Sequence, residues 1–193
     1  MYQLPMKFPQ IPIFVALFLS CFFLSHAQTN SLNTLTTTVY LEKAVPDIKS
    51  TLNTENYATL FEAFKAANLE EILGMSGPFT LFAPSNSAFD RFSSSEWEEL
   101  FKEENRTKLK DLLTYHLVAG NLTASKMLRA LCRGEGKASF TSVQGTKIFA
   151  TMQGTDIVLS DASGNEARIT SADANQSNGI IHHIDRVILP MEP

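Results

Sequence analysis

The apolar residues change their period partway along the chain, and few folds accommodate that change. Tyr57, Leu60, Phe61, Phe64 and Ala67 fall at i, i+3, i+4, i+7 and i+10, which places all five on one face of a helix. Further helix signals follow. Thr54 or Asn56 can cap this helix, and a short turn from Leu69 to Leu73 is closed by Gly74. Ser95-Glu96-Trp97-Glu98 reads as a capping box, and Asn105 as a cap for a helix carrying Leu109, Leu112 and Leu113 inward. Thr123 precedes a helix with Met127, Leu128 and Leu131. Beyond it the periodicity shortens. Gln144-Gly145, Gln153-Gly154 and Ser163-Gly164-Asn165 are turn signals between the strands Lys147 to Met152, Asp156 to Ser160 and Ala167 to Ser171. Ile180 to Leu189 is the longest strand expected, and Phe79 to Ala83 a lone strand in the helical half, stopped by Pro84. Helices and an antiparallel sheet segregated along one chain make an α+β class.

The N-terminus reads as an address rather than as part of that fold. Lys7 is followed by an apolar run from Ile11 to Leu24 and then by Ser25-His26-Ala27, the pattern of a secretory signal peptide over residues 1–27. The run is shorter than the roughly 20 residues a membrane-spanning helix needs, so no integral span is expected after cleavage. Residues 28–41 form a polar spacer, and the domain is expected over 42–190. Removal of the leader takes Cys21 away and leaves Cys132 alone, so no internal disulfide can staple the domain. It must stand on its hydrophobic core, which a chain of about 150 residues can do by burying roughly two-thirds of its unfolded surface. With 16 basic and 20 acidic residues there is no basic surplus for phosphate neutralisation, so no nucleic-acid partner is expected. Secretion to the periplasm, cell surface or medium is the expected localisation.

Two segments stand out by their order. One is Thr80-Leu81-Phe82-Ala83-Pro84-Ser85-Asn86-Ser87-Ala88-Phe89, and the other runs from Asn178-Gly179 through His182-His183-Ile184-Asp185 to Pro190. Tyr115-His116-Leu117-Val118 lies between them. Together they resemble the two signature blocks and the intervening Tyr-His of the fasciclin domain, over about residues 42 to 190. The chain looks like a secreted single-domain member of the bacterial type. The resemblance implies a β-sheet wedge with a helical layer and an adhesion or interaction module. It nominates Tyr115, His116 and Asp173 as candidate binding residues, although Asp173 is followed by Ala174 where some animal members carry an Asp-Ile pair. Thr80, Phe82, Ala83, Pro84, Asn86, Phe89, Asn178, Gly179, His182, Asp185 and Pro190 are the structural signature.

Read from the residues alone, both blocks are mostly scaffold. Pro84 ends ladder pairing, Ser85 or Asn86 can cap a turn holding Ala88 and Phe89, and Asn178-Gly179 launches a strand. His182 and His183 are adjacent on a strand, so they point to opposite faces and cannot grip one ion; no metal site is expected. Ile180, Ile184 and Ile188 flank His182, which makes it the core histidine. Asp185 is expected to accept hydrogen bonds that pin a turn or a neighbouring strand. No Gly-x-Ser-x-Gly elbow and no glycine-rich phosphate loop occurs, so no catalytic residue and no cofactor is expected. Cys132 reads as a buried apolar cysteine.

The expectation is therefore a non-enzymatic module that binds a cell-surface or matrix protein, or a polysaccharide, at the cell envelope. Two rivals make their own predictions. A carrier of small apolar ligands needs an enclosed interior pocket of about 300 Å³ or more. An envelope enzyme needs two or three of His116, His183, Asp185 and Asp173 within hydrogen-bond reach of one another in a cleft. The sequence does not fix the oligomeric state.

Overall fold

The computed structural model describes residues 44–90 and 92–190. The expected leader and spacer lie outside the described residues. Helices fill the first half. Helix α1 (Ile48–Leu52) opens where the Asp47 carboxylate accepts the Ser50 N–H at 2.7 Å. Helix α2 (Ala58–Ala66) buries the expected stripe, with Leu60, Phe61 and Phe64 inward and Tyr57 and Ala67 buried at its ends. The Thr54 hydroxyl does not cap it but donates to the Thr51 carbonyl. Helix α3 (Glu70–Gly74) follows at once.

Helix α4 (Ser94–Leu100) starts two residues ahead of the expected capping box: Ser93 and Glu96 form the reciprocal pair, not Ser95 and Glu98. Both pairs fit the sequence pattern. In the observed register Trp97 lies on Phe89, with ring centroids 4.7 Å apart, which local capping signals do not encode. In α5 (Arg106–Tyr115) Leu109, Leu112 and Leu113 are buried, while the Asn105 amide donates to the Glu99 carbonyl instead of capping. In α6 (Ala124–Arg133) the Thr123 hydroxyl accepts the Lys126 N–H. Met127 and Leu131 face inward, but Leu128 and Cys132, each one position off that face, are exposed.

Among the described residues seven strands form one sheet: β1 (Phe79–Pro84), β2 (Leu117–Ala119), β3 (Lys137–Thr141), β4 (Lys147–Gln153), β5 (Asp156–Ser160), β6 (Glu166–Gln176) and β7 (Gly179–Ile184). Their order is β2-β1-β7-β6-β5-β4-β3. The α+β class holds, with one refinement. The sheet is mixed, because β1 runs parallel to β7 with Phe79 opposite Gly179 and Phe82 opposite His182. Strand β6, not the last strand, is the longest. Strand β7 stops at Ile184, where the Asp185 carboxylate takes the Arg168 N–H at 2.7 Å and ends the ladder. The ends of the sheet approach each other, since Val118 bridges Ser142 and the Val143 N–H donates to the Leu117 carbonyl at 2.7 Å.

Alternation along β1 and β7 feeds two cores. Leu81, Ala83 and Ile181 join the helices in one, with Phe64 and Leu113. Phe82 and Ile184 join the other, which the curled sheet wraps together with Tyr115, Met127, Ile148 and Leu159.

Asn178 ties the two halves together. Its side-chain oxygen accepts the Ile48 N–H at 2.9 Å, and its amide donates to the Leu73 and Met75 carbonyls at 2.8 and 3.0 Å. At Gly179 a Cβ would stand 2.0 Å from the Phe79 carbonyl oxygen, so β1 and β7 can approach only because it is absent. Asn178→Ala is expected to destabilise the domain by about 2–3 kcal/mol through orphaned backbone groups, read as a lowered urea midpoint at unchanged m-value. Gly179→Ala should cost at least as much, since the clash is with backbone; a wild-type midpoint for either variant would contradict this account.

Candidate functional site

The signature residues meet where β1 and β7 run side by side, and most of their polar atoms are spent on backbone. Thr80 is fully buried; its hydroxyl donates to the Gly120 carbonyl at 2.6 Å and accepts the Leu122 N–H at 2.8 Å, holding the loop after β2. Asn86 does not cap its own turn. Its oxygen accepts the Thr59 N–H and its amide donates to the Glu55 carbonyl, which anchors the start of α2. Phe82 and Ala83 are buried on opposite faces, Pro84 is the last residue of β1, and Pro190 closes the described chain.

His182 is fully buried and stacked on Phe82, with centroids 5.6 Å apart and planes 25° apart. Its Nδ1 accepts the Asp173 N–H at 3.2 Å, so its Nε2 carries the proton and donates to the Leu122 carbonyl at 2.8 Å. Asp173 sits in the left-handed region at φ 58, and its carboxylate accepts the Ala124 N–H at the start of α6. The candidate binding aspartate is thus half-buried and occupied in joining β6 to α6.

Tyr115 and His116 lie at the junction of α5 and β2 and are 0% and 1% exposed. The Tyr115 hydroxyl donates to the Lys147 carbonyl at 2.8 Å. Burial, reinforced by the Asp161 carboxylate, pushes that phenol up to about 12. His116 takes the opposite tautomer to His182: Nδ1–H donates to the Leu112 carbonyl at 2.8 Å and Nε2 accepts the Ile188 N–H at 3.3 Å. Burial brings its pKa down to about 4. The side chains of Tyr115 and His116, the candidates for partner contact, are therefore part of the core in this fold.

His183 faces the helical side, where its Nδ1 bonds the Tyr57 hydroxyl; burial lowers the pKa of His183 and raises that of Tyr57. His182 and His183 therefore diverge, as adjacent strand residues do. Among the described residues no three His, Cys, Asp or Glu side chains are grouped as metal ligands. Nor do His116, His183, Asp173 and Asp185 hydrogen-bond to one another; their partners are Leu112 and Ile188, Tyr57, Ala124 and Arg168.

Sequence reasoning missed Asp161. It is 3% exposed and accepts four hydrogen bonds: from the Ser163 and Asn165 N–H groups, the Asn165 amide and the Leu189 N–H. An aspartate two residues before Ser163-Gly164-Asn165 is the signal of an Asx turn, but nothing local announces the bond to Leu189.

The sequence model of one family, the fasciclin domain, matches residues 55–190. Protein sll1483 of Synechocystis is 37% identical over 150 residues, covering 77% of this chain and 76% of its own length. Human periostin is 30% identical over 142 residues, 72% of this chain but only 15% of periostin. A solved domain pair from the insect cell adhesion molecule Fasciclin I superposes with a TM-score of 0.63 at 17% identity, covering 78% of this chain and 52% of that one. That likeness establishes a shared fold.

Two outcomes follow from the buried histidines. His116 folds with a pKa of about 4 against an ordinary 6.5, so the unfolded chain binds a proton that the folded chain refuses. Its contribution is complete above about pH 6.5 and is lost as pH falls toward 4, a change of about 3 kcal/mol. His182 and His183, also lowered by burial, act in the same direction. Urea midpoints should decline from pH 7 to pH 4, and a flat profile would contradict the neutral assignment. His182→Asp should abolish cooperative thermal melting, since a carboxylate there would face the Leu122 carbonyl and the Asp173 carboxylate at a cost of several kcal/mol.

Proposed function

Because the chain belongs to the fasciclin domain family, we propose that it is a secreted, non-enzymatic interaction module. The leader at 1–27 exports it, the spacer at 28–41 sets it off, and the domain at 42–190 makes non-covalent contact with a cell-surface or matrix protein, or a polysaccharide. One observation carries this reading. Most of the polar atoms that a chemist would first suspect are committed to the scaffold: both ring nitrogens of His116 and of His182, the Tyr115 hydroxyl and one carboxylate oxygen each of Asp173 and Asp185, while His183 bonds the Tyr57 hydroxyl. A general acid or base needs a proton-bearing atom within reach of substrate. Here those atoms bond within the domain, so the signature builds a rigid body and leaves binding to its surface.

The surface is suited to contact. Glu96, Glu98, Glu99, Glu103 and Glu104 are exposed, with Glu99 paired to Lys102 and Glu103 to Arg106, while Val143 and Phe149 stand 44% and 43% exposed. The rival carrier needs an enclosed chamber, whereas two clefts among the described residues, of about 480 and 810 Å³, are open to solvent and the two cores hold large side chains such as Phe64, Phe82 and Tyr115. No helix among the described residues is long and apolar enough to cross a membrane.

Beads coated with the protein should adhere to its source cells or their matrix in a saturable way, and soluble folded protein should compete. Tyr115→Phe, which removes one buried hydroxyl, should leave adhesion unchanged at temperatures where the variant stays folded. Adhesion no greater than that of heat-unfolded protein would overturn the reading, and loss of adhesion in folded Tyr115→Phe would return the Tyr115 region to the binding surface.

A further inference from the structure

The sheet nearly closes on itself but fails to do so between β2 and β3, and that failure leaves a site. The two strands touch at Val118 and Ser142 and then part, opening a cleft of about 810 Å³. Its walls include Phe79, Val118, Leu122, Phe140 and Val143, with Lys126 at the rim. Resting on the reading of the chain as an interaction module, we propose that this cleft binds an extended, acidic peptide segment of the partner, which adds as a strand to the free edge of β3.

Three independent observations support it. The first is backbone geometry. The Ser142 N–H donates to the Thr146 carbonyl, which makes Ser142, Phe140 and Ala138 the residues bonded to β4 in the antiparallel ladder. Ser139 and Thr141 alternate with them, so their N–H groups point the other way, toward the cleft. Val143, next in the same series, uses its N–H on Leu117, which shows that this edge accepts a strand where one is within reach. Beyond Ala119, where β2 ends, no strand among the described residues is. An edge of this kind is where extended peptides pair, with main-chain bonds for affinity and a side-chain pocket for selectivity.

The second is Ser142. It is 4% exposed and lines the cleft, and among the described residues its Oγ is the buried side-chain oxygen that has no hydrogen-bond partner. Native folds rarely leave a buried hydroxyl unanswered. The oxygen itself is sealed from solvent, so a peptide group in the cleft would answer it on a turn of the Ser142 side chain about χ1, because a hydroxyl both donates and accepts.

The third is charge. Between Leu117 and Thr155 the chain carries Lys126, Arg129, Arg133, Lys137 and Lys147 against Glu135, in a protein whose net charge is −4. Lys126 stands at the cleft rim and the Lys147 ammonium bonds the Thr141 hydroxyl on the β3 wall, so the charges nearest the cleft attract an acidic segment. Val143, 44% exposed beside the cationic rim, gives such a segment an apolar foothold.

The probe is a fluorescein-labelled nonapeptide in which Val, Phe and Val alternate with Thr between Asp-Glu flanks. Anisotropy should show saturable binding, and nitrogen-15 NMR should place the largest amide shifts and new exchange protection at Ser139 and Thr141. Val143→Asp and Lys126→Glu alter exposed side chains and should leave the melting temperature unchanged while weakening binding about tenfold or more. A proline analogue that cannot complete the ladder should fail to bind. Absence of saturable binding, shifts elsewhere on the sheet, or indifference to either substitution would overturn the proposal. Equal binding by the proline analogue, or displacement by laurate without backbone protection, would make the cleft a small-ligand pocket and overturn strand addition. Bead adhesion separates the two levels: if beads adhere and the peptide does not bind, this site is wrong and the interaction module stands; if neither binds, both fail.

Discussion

The parallel pairing of β1 with β7 is the contact on which the rest of the structure depends. It joins residues about one hundred positions apart, and it does so at a separation that only Gly179 permits. Each strand then splits its side chains between two cores, Leu81 and Ile181 toward the helices and Phe82 and Ile184 into the curled sheet. A one-residue slip would exchange the two sets and drive Thr80 and His182 into the wrong environments. Register, core composition and polar satisfaction are therefore one constraint seen three ways.

Around that pair the polar residues act as fasteners between elements far apart in sequence. Asn178 reaches α1 and the end of α3, Asn86 the start of α2, Thr80 and His182 the loop after β2, Asp173 the start of α6, and Asp161 the chain after β7. Each satisfies backbone groups that loops and helix ends leave open. With no internal disulfide available to the domain, these bonds are how long connections are held to a small core. The two buried histidines fit that role because imidazole offers one donor and one acceptor, and the fold uses each once, in opposite tautomers. The domain's surface is correspondingly free for contact, and the gap between β2 and β3 is where the sheet leaves main-chain bonding capacity unused.

Legibility tracked locality. The stripe from Tyr57 to Ala67 and the strand Asp156–Ser160 were readable because each is a repeat within one element. The capping box was misplaced by two residues because Ser93 and Ser95 offer the same local chemistry and only Trp97 packing against Phe89 chooses between them. Strand β2 gave no signal at three residues, and Cys132 could not be placed because one step around α6 separates it from buried Leu131. His182 was readable as core from its isoleucine neighbours, whereas the burial of Tyr115 and His116 depends on β4 and on the segment after β7, which the sequence sets far away.

The order and kind of residues were enough to decide the class, the family resemblance, the divergence of His182 from His183, and the lack of a disulfide, since all of these follow from spacing, strand alternation and cysteine count. The tertiary structure alone decided that β1 lies parallel to β7, that Tyr115 and His116 point inward, and that a cleft with an unanswered serine remains at the seam. Those facts arise from long-range pairing, in which a group's burial and hydrogen-bond partners are set by chain brought from elsewhere, and no local pattern carries that information.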